Sequence, residues 1–279
     1  MRIHPTAVVD PKAELGEDCE VGPGAVIEAD VVVGKRCIIG PHAFIGRYSR
    51  LGDDNKLHIG AVVGHVPQDL SYDAKAITYL KAGNGNVFRE YCVIHRSAKE
   101  GGATIIGDRN FFMNHSHVGH DTRFGSEIIL GASALLAGYV NVGDRAYISG
   151  NTAVHQFCRV GRLGMLRGVS GVSMDIPPFC IADNHNQLRG INVVGLRRAG
   201  ISDKSREALR TVFRLLFRSG DALVEAINKV AAGEYGKINE VVELLNFCRE
   251  SKRGIVSWRN AENGGSPDAS TDNGGEEDY

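Results

Sequence analysis

Residues 105–172 read, in consecutive blocks of six, IIGDRN FFMNHS HVGHDT RFGSEI ILGASA LLAGYV NVGDRA YISGNT AVHQFC RVGRLG MLRGVS GV. The second residue of every block, from Ile106 to Val172, is aliphatic or Phe, and Gly often follows it. A period of six matches neither the 3.6-residue turn of a helix nor the alternation of a strand. The pattern therefore predicts a parallel β-helix, in which short strands wind around an axis and stack coil upon coil.

This geometry predicts which side chains become neighbours. In the solenoids that the pattern resembles, three blocks make one triangular coil, the apolar residue fills the axis, and Gly or a small polar residue turns the corner. Residues eighteen apart then lie directly above one another, separated by roughly 4.8 Å. Gly138 accordingly lies one coil beyond His120, and His155 projects from the same edge one coil further on.

The repeat begins at Ile3 and is interrupted twice. Between residues 61 and 86 the six-residue rhythm stops, which predicts a long loop excursion from the solenoid. A shorter excursion follows at residues 99–102. Long loops are uncommon unless they are functional, so Asp69 in the first excursion is a candidate ligand contact.

The chain is expected to divide into a β-helix over residues 1–195 and a C-terminal helical domain over residues 196–255. The helical domain would also cover the open edge of the last coil, which repeat proteins require. Residues 260–279 are rich in Gly, Ser, Asp and Glu and lack basic residues, so we predict a disordered acidic tail. The helices are predicted from Ser202 or Asp203 to Arg218, over 221–231 and over 238–248.

The composition excludes several classes of protein. With 279 residues, 43% of them hydrophobic, and a net charge of −1, the chain can bury a real core and has no charge excess that would recruit nucleic acid. The six cysteines form no CxxC motif, and reduced thiols indicate a cytoplasmic protein. We expect no signal peptide and no transmembrane segment, because no run of apolar residues is long enough.

The richest polar cluster is residues 114–121, NHSHVGHD, which we predict to share one lateral face with Gly138, Tyr139, His155 and Gln156. His120 can act as a general base near neutral pH, Asp121 can hold its tautomer, and the Gly138 N–H can face a developing oxyanion. Two alternatives stay open on spacing alone. Histidines from neighbouring coils can form a three-histidine zinc site, or they can be hydrogen-bonded structural groups at a subunit interface.

Several segments together resemble the UDP-N-acetylglucosamine acyltransferase family, whose enzymes open lipid A biosynthesis. The resemblance runs in order and spacing from Ile3 to about Gly220, and its most specific part is the AVHQF run at residues 153–157. The matching segments are 117–121 (HVGHD), 136–138 (LAG), 152–158 (TAVHQFC), 68–70 (QDL), 177–178 (PP), 190–192 (GIN) and 195–198 (GLRR).

The resemblance implies a homotrimeric left-handed β-helix with active sites in the clefts between subunits. It also implies transfer of a 3-hydroxyacyl chain from acyl carrier protein to the 3-hydroxyl of UDP-N-acetylglucosamine. No metal and no organic cofactor are expected, because a base, an oxyanion donor and a thioester supply the chemistry.

The resemblance also implies the roles of individual residues. His120 would be the general base, oriented by Asp121, and the Gly138 N–H would stabilise the tetrahedral oxyanion. Gly168 would set the acyl-length limit, because a missing side chain leaves the groove open. The residues assigned to substrate binding are Asp69, His117 and Gln156 at the sugar and pantetheine, His155 on the cleft wall, and Asn192 and Arg198 at the nucleotide.

Four positions depart from the family pattern. Tyr139 stands where His is usual, Val194 where Glu is typical, Ala199 where a second Arg is expected, and Ser71 where Lys is expected. These changes leave His120, the predicted general base, intact and alter the part of the site that is predicted to bind the nucleotide. Two alternative functions therefore stay open: N-acylation of a UDP 3-amino sugar, and a zinc-dependent hydratase of the carbonic anhydrase type using His115, His117 or His120 from adjacent subunits.

Overall fold

The computed structural model describes residues 1–258 as a triangular prism of three parallel sheets with helices at its C-terminal end. The fold class predicted from the sequence, a left-handed parallel β-helix followed by helices, is confirmed. The predicted disordered tail, residues 260–279, lies outside the described residues.

The three faces of the prism are named sheets A, B and C. Sheet A contains Arg2–Ile3, Glu20–Val21, Ile38–Ile39, Lys56–Leu57, Val87–Phe88, Phe111–Phe112, Ile129–Leu130, Tyr147–Ile148, Met165–Leu166, Cys180–Asp183, Gln187–Ile191 and Ser257–Trp258. Sheet B contains Val8–Val9, Val26–Ile27, Phe44–Ile45, Val62–His65, Val93–His95, His117–Val118, Leu135–Leu136, Ala153–Val154 and Gly171–Val172. Sheet C contains Glu14–Leu15, Val32–Val33, Ser49–Leu51, Tyr79–Ala82, Ala103–Ile106, Arg123–Phe124, Asn141–Val142 and Arg159–Val160.

The strand register confirms the eighteen-residue step in the C-terminal half of the solenoid. Val118 pairs with Leu136, and Leu136 pairs with Val154. The step lengthens at the two excursions, where Val63 pairs with Ile94 and Ile94 with Val118. Extra residues therefore leave the coil without disturbing the stacking above and below them.

The first excursion is narrower than the predicted range of residues 61–86. Val62–His65 remains in sheet B and Tyr79–Ala82 remains in sheet C, so residues 66–78 form the part that leaves the sheets. Both strands pair with the coils on either side of them. The sequence did not predict these strands because their residues are a mixture of apolar and polar types.

The residue that recurs every six positions fills the axis of the prism. Phe112, Val118 and Leu136 are fully buried, and Phe88 stacks on Phe112 with ring centroids 5.0 Å apart. Full burial of such a side chain contributes about 1.5 to 3 kcal/mol relative to exposure. The continuous apolar column therefore holds the coils together.

Glycine has a different role from the predicted one of turning the corner. The residue in the left-handed region stands three positions after most axial residues and is seldom Gly, as at Asp121, Tyr139 and Phe157. The Gly that directly follows the axial residue permits stacking instead: a Cβ at Gly119 would lie 2.6 Å from the Gly138 nitrogen. Glycine is thus required by the neighbouring coil rather than by its own dihedral angles.

Three edges join the faces. The AB edge includes residues 113–116, 131–134, 149–152 and 167–170; the BC edge includes 119–122, 137–140 and 155–158; the CA edge includes 107–110, 125–128 and 143–146. Each block of six is one side of the triangle, so residues five or six apart lie on different edges.

The C-terminal end is closed by helices and by an antiparallel strand pair. Cys180–Asp183 pairs with Gln187–Ile191 in a stretch without a recognisable sequence pattern. The Ser202 side chain caps the long helix α2 by accepting from the Ser205 N–H. The helices are α1 Val193–Arg198, α2 Asp203–Phe217, α3 Leu223–Ala232, a 3-10 turn Glu234–Lys237 and α4 Asn239–Arg249.

Candidate active site

His120 and Asp121 form a hydrogen-bonded pair on the BC edge. The His120 Nδ1 lies 2.8 Å from the Asp121 Oδ2. Because an ionised carboxylate only accepts, Nδ1 carries the proton and Nε2 is left with a free lone pair. The arrangement suits a base that removes a proton from a bound group.

Asp121 is itself fixed from three directions. Its carboxylate accepts hydrogen bonds from the Ser97 hydroxyl and from the Ala98 N–H, and its own N–H donates to the Thr104 hydroxyl. Burial raises the pKa of the Asp121 carboxyl, but the bonds from His120, Ser97 and Ala98 outweigh it and hold that pKa below its usual range. Asp121 is therefore a carboxylate at neutral pH.

Gly138 lies directly over the imidazole of His120. A Cβ added at Gly138 would stand 2.7 Å from the His120 Nε2, so any side chain there would displace the ring. The Gly138 carbonyl accepts from the Phe157 N–H, whereas the N–H of this buried residue has no acceptor within residues 1–258. A buried unpaired donor beside a basic nitrogen can bind an oxyanion.

The first excursion brings Asp69 to the same place. One carboxylate oxygen of Asp69 lies 3.9 Å from the His120 Nε2, beyond hydrogen-bonding distance. Its other oxygen accepts from the N–H and the hydroxyl of Ser71, which holds the pKa of Asp69 below its usual range. A carboxylate in this position can orient a hydroxyl-bearing substrate next to the base.

His117 and His95 lie side by side on sheet B with ring centroids 5.1 Å apart. The His95 Nδ1 donates to the Val66 carbonyl, and burial lowers the pKa of His95 to about 4. Burial also lowers the pKa of His117. The Nε2 atoms of both rings are buried and have no hydrogen-bond partner in the described chain. Both rings are therefore neutral at pH 7, and each has one nitrogen without a hydrogen-bond partner.

Tyr139 forms a wall of the site. Its ring meets the His120 ring edge-on with centroids 5.2 Å apart and stacks on Phe157 at 4.7 Å. The Lys99 ammonium lies 4.9 Å from the Tyr139 ring centroid, on the second excursion. This phenol stands where the resemblance predicts an imidazole, and its ring packs against the His120 ring.

His155 and Gln156 are exposed on the same BC edge, one coil beyond Gly138. The His155 Nδ1 lies 3.3 Å from the Arg253 guanidinium, which reaches the edge from the segment after α4. His115, by contrast, lies on the AB edge and stacks on Tyr91 at 5.6 Å. The expectation that His115 shares the face of His120 is wrong, because five residues span one side of the triangle.

The remaining predicted residues lie away from His120 within one chain. Asn192 and Arg198 line a groove of about 920 Å³ between sheet A and α1. The Asn192 side chain is buried, accepting from the Gly195 N–H and donating to the Leu163 carbonyl. Gly168 is exposed on the AB edge, where an added Cβ would lie 3.4 Å from the Gly150 carbonyl oxygen and 3.9 Å from the Ser149 Cβ.

Several supporting residues were missed by sequence reasoning. Ser97 and Thr104 flank the second excursion, and the interruption of the repeat there was the available signal. Lys99 lies within that excursion, whereas Arg253 follows the last helix in a segment without any periodic signal.

Two further features of the described chain concern its cysteines and its helices. All six cysteines are buried free thiols. Among the helices of residues 1–258, none combines the length and apolar character that crossing a bilayer demands.

A hexapeptide prism that presents a His–Asp pair beside an unpaired backbone N–H has the form of an acyltransferase. Two family models match the chain: bacterial transferase hexapeptide (six repeats) at residues 12–47, and domain 2 of the UDP-N-acetylglucosamine O-acyltransferase family at residues 175–256. The matched segments lie at the two ends of the described fold.

The curated relatives are acyl-[acyl-carrier-protein]–UDP-N-acetylglucosamine O-acyltransferases. That of Burkholderia orbicola is 47% identical over 91% of this chain and 99% of its own length, and that of Anaeromyxobacter is 45% identical over 92% and 100%. The chain belongs to this acyltransferase family, as the sequence predicted.

Solved structures agree over the same length. The UDP-N-acetylglucosamine acyltransferase of Francisella novicida superposes with a TM-score of 0.88 at 33% identity, covering 92% of this chain and 95% of its own. The enzyme from Bacteroides fragilis gives a TM-score of 0.87 at 38% identity, covering 91% and 99%. The predicted enzyme class, an acyltransferase, is confirmed.

Proposed function

We propose that this acyltransferase moves a 3-hydroxyacyl chain from acyl carrier protein to the 3-hydroxyl of UDP-N-acetylglucosamine, the first step of lipid A biosynthesis, with His120 as general base. The observation that carries the proposal is the close packing of Gly138, whose N–H is unpaired within residues 1–258, against the His120 Nε2. The names of the curated relatives support both substrates.

The reaction uses the geometry of the BC edge. The His120 Nε2 removes the proton of the sugar hydroxyl as its oxygen attacks the thioester carbon, and the resulting imidazolium is stabilised by Asp121. The tetrahedral oxyanion accepts from the Gly138 N–H. When the C–S bond breaks, the departing thiolate takes the proton from His120, which returns to its starting state.

Asp69 and His117 complete the acceptor end of the site. The Asp69 carboxylate, 3.9 Å from the base, is placed to accept from a hydroxyl of the sugar. His117, whose Nε2 is buried without a hydrogen-bond partner in residues 1–258, lies on the strand that leads into the turn of His120. Gln156, one coil beyond Gly138, faces the thioester arm.

A homotrimer would assemble the full site. His120 lies on the BC edge, whereas the groove of Asn192 and Arg198 opens on sheet A, so one chain presents the two halves on different sides. Exposed apolar side chains support burial by a second copy, among them Leu135 at 49% and Val169 at 81% exposure. Packing the AB edge and sheet A of one chain against the BC edge of another would bring Gly168 and the nucleotide residues to His120.

The two alternative functions make distinct demands on this site. N-acylation of a UDP 3-amino sugar would use the same base, next to which Tyr139 lies with its ring centroid 5.2 Å from that of His120. A zinc hydratase would require three ligands, and no suitable group of three His, Cys, Asp or Glu exists within residues 1–258 of one chain. Elemental analysis of the purified protein tests the zinc alternative, which requires stoichiometric metal.

The deciding assay is acyl transfer followed by mass spectrometry, using 3-hydroxyacyl carrier proteins of several chain lengths. We expect a product with the mass of the O-acylated UDP-N-acetylglucosamine. A product only with the 3-amino acceptor would favour N-acylation. Absence of product with both acceptors would contradict the proposal.

A further inference from the structure

Three exposed arginines form a basic stripe on helix α2. Arg210, Arg214 and the C-cap residue Arg218 follow one another at four-residue intervals, so their guanidinium groups lie on one side of the helix over about 12 Å. Together with Phe213 and Ile191 they line a groove of about 370 Å³. The term basic stripe is used below for these three arginines.

No carboxylate of residues 1–258 neutralises the basic stripe. Asp203 and Asp221, at the two ends of α2, pair with other cations, and Glu207 has no cation within 4 Å. The Arg214 guanidinium has only the Thr211 hydroxyl, at 3.4 Å. Like charges four residues apart on a helix repel one another, so an anionic partner stabilises such a stripe.

The described chain ends beside the basic stripe. Ser257–Trp258 is the last strand of sheet A and pairs with residues 187–188. The Trp258 ring meets the Phe213 ring edge-on with centroids 6.0 Å apart, and the Arg218 guanidinium lies 3.6 Å from the Trp258 ring centroid. Residue 259 therefore follows directly on a position at one end of the groove.

The residues that follow carry the complementary charge. Residues 260–279 contain six acidic residues and no basic residue. The acidic residues are Glu262, Asp268, Asp272, Glu276, Glu277 and Asp278. Because an extended chain spans up to about 3.3 to 3.6 Å per residue, the acidic run at 276–278 can reach every arginine of a stripe about 12 Å long.

We infer that the acidic segment 260–279 binds to the basic stripe of its own chain, with the run at 276–278 forming ion pairs with the arginines. Residues 260–278 include no aromatic residue and no Leu, Ile, Val or Met, so charge rather than apolar burial makes the contact. Surface ion pairs are individually weak, but tethering holds the segment at an effective concentration on the order of millimolar. The inference does not rest on the proposed function.

The test is energy transfer from Trp258, the only tryptophan of the chain, to a dansyl group on Tyr279→Cys. The six native cysteines are buried, so the label is confined to position 279. In the bound state the acceptor lies about 15 Å from Trp258, whereas a free segment of about 20 residues averages roughly 25 Å.

Salt distinguishes the two states by the sign of its effect. Raising the salt from about 0.01 M to about 1 M screens the ion pairs, so the transfer efficiency should fall at least about twofold as the segment is released. An unbound acidic segment would respond in the opposite direction, because screening of its self-repulsion contracts it and raises the transfer.

Two variants of the basic stripe locate the contact, and Arg218 is left unchanged because it touches the fluorophore. Arg210→Gln and Arg214→Gln should each lower the transfer at low salt towards its high-salt value. Lys204→Gln removes the same charge from an exposed position of α2 outside the groove and should leave the transfer unchanged.

The acidic segment is varied separately. The triple variant Glu276→Gln/Glu277→Gln/Asp278→Asn should also lower the transfer at low salt, and it leaves residues 1–258 unaltered, so a folding defect cannot explain its result. A transfer that rises with salt would overturn the inference. So would a low-salt transfer that the stripe variants and the triple variant leave unchanged, which would assign the stripe to a separate acidic protein. Since the measurement needs no turnover, failure of the proposed acyl transfer would show separately.

Discussion

The CA edge and the BC edge are made by the same repeat, yet they treat the same backbone position differently. On the CA edge, the N–H two residues past the axial residue is capped from the next coil: Asp108 donates to the Ser126 hydroxyl at 3.0 Å and Ser126 to the Asp144 carboxylate at 2.8 Å. On the BC edge, that position is Gly138, and its N–H has no acceptor within residues 1–258.

The CA edge is also stabilised from inside by a ladder of buried asparagines. The Asn55 Oδ1 accepts from Asn86, and the Asn86 Oδ1 accepts from the N–H and side chain of Asn110. Buried polar groups are normally paired in this way. The CA edge therefore pairs this backbone N–H and its buried side chains, whereas the BC edge leaves the Gly138 N–H unpaired beside the base.

The largest expected effect is on turnover at the BC edge. His120→Ala removes the base, so kcat should fall by roughly 10²- to 10⁴-fold with the melting temperature nearly unchanged. His4→Ala, an exposed histidine in the first coil, is the control and should leave kcat at the wild-type value. Near-wild-type turnover by His120→Ala would remove His120 from the mechanism.

The next largest effect is expected for Gly138→Ala, which should lower kcat roughly 10²-fold. The new methyl group displaces the His120 ring, whereas the N–H of residue 138 remains. The matched control is Gly171→Ala, where the nearest atom to the added Cβ is 3.9 Å away. Steady-state kinetics on both variants checks this, and equal activities would contradict the close packing of Gly138 on His120.

The reciprocal test is on the CA edge. Asn86→Ala leaves the backbone N–H and one of the two side-chain N–H groups of Asn110 without an acceptor, which should lower the free energy of unfolding by about 3 kcal/mol with kcat unchanged. Urea unfolding measures the loss, and Asn246→Ala, at an exposed position of α4, serves as the control. A loss of turnover in protein that remains folded would contradict the claim that the CA edge serves stability and the BC edge serves catalysis.

Lowering the pH should reduce the free energy of unfolding, because His95 is buried in its neutral form. Its pKa is about 4 in the folded chain against about 6.5 when unfolded, so its contribution is complete above pH 6.5 and is lost as the pH falls towards 4. Between pH 7 and pH 5, wild type should lose about 2 kcal/mol more than His95→Gln. Urea midpoints at the two pH values measure this, and parallel curves for the two proteins would contradict it.

The smallest effect on catalysis is expected at the AB edge. Gly168→Met should leave stability nearly unchanged, because an added Cβ meets its neighbour at an ordinary 3.4 Å, and should shift the preference to shorter acyl chains. A competition assay with mixed acyl chain lengths reads out the shift. An unchanged product distribution would contradict the claim that residue 168 limits the length of the acyl chain.

The sequence predicts the solenoid well because one axial residue in six must be apolar at every coil. The same arithmetic placed Gly138 over His120, since no insertion intervenes between them. It failed for His115, which lies on the AB edge, because closeness in sequence was taken for closeness on the triangle.

What lies outside the repeat could not be predicted from it. The support of Asp121 by Ser97 depends on how an irregular excursion folds back, and the contact of Arg253 with His155 joins residues from opposite ends of the C-terminal half. The helix cap at Asn192 was hidden because α1 is short and lacks an apolar stripe. Contacts made by insertions carry no periodic signal.

The most direct test of the central claim, that His120 and Gly138 act as one catalytic unit on the BC edge, is kcat of the double variant His120→Ala/Gly138→Ala. If the methyl group at residue 138 acts by displacing the His120 ring, the double variant should turn over at the rate of His120→Ala alone. Losses that multiply would show that Gly138 acts independently of His120 and would contradict the claim.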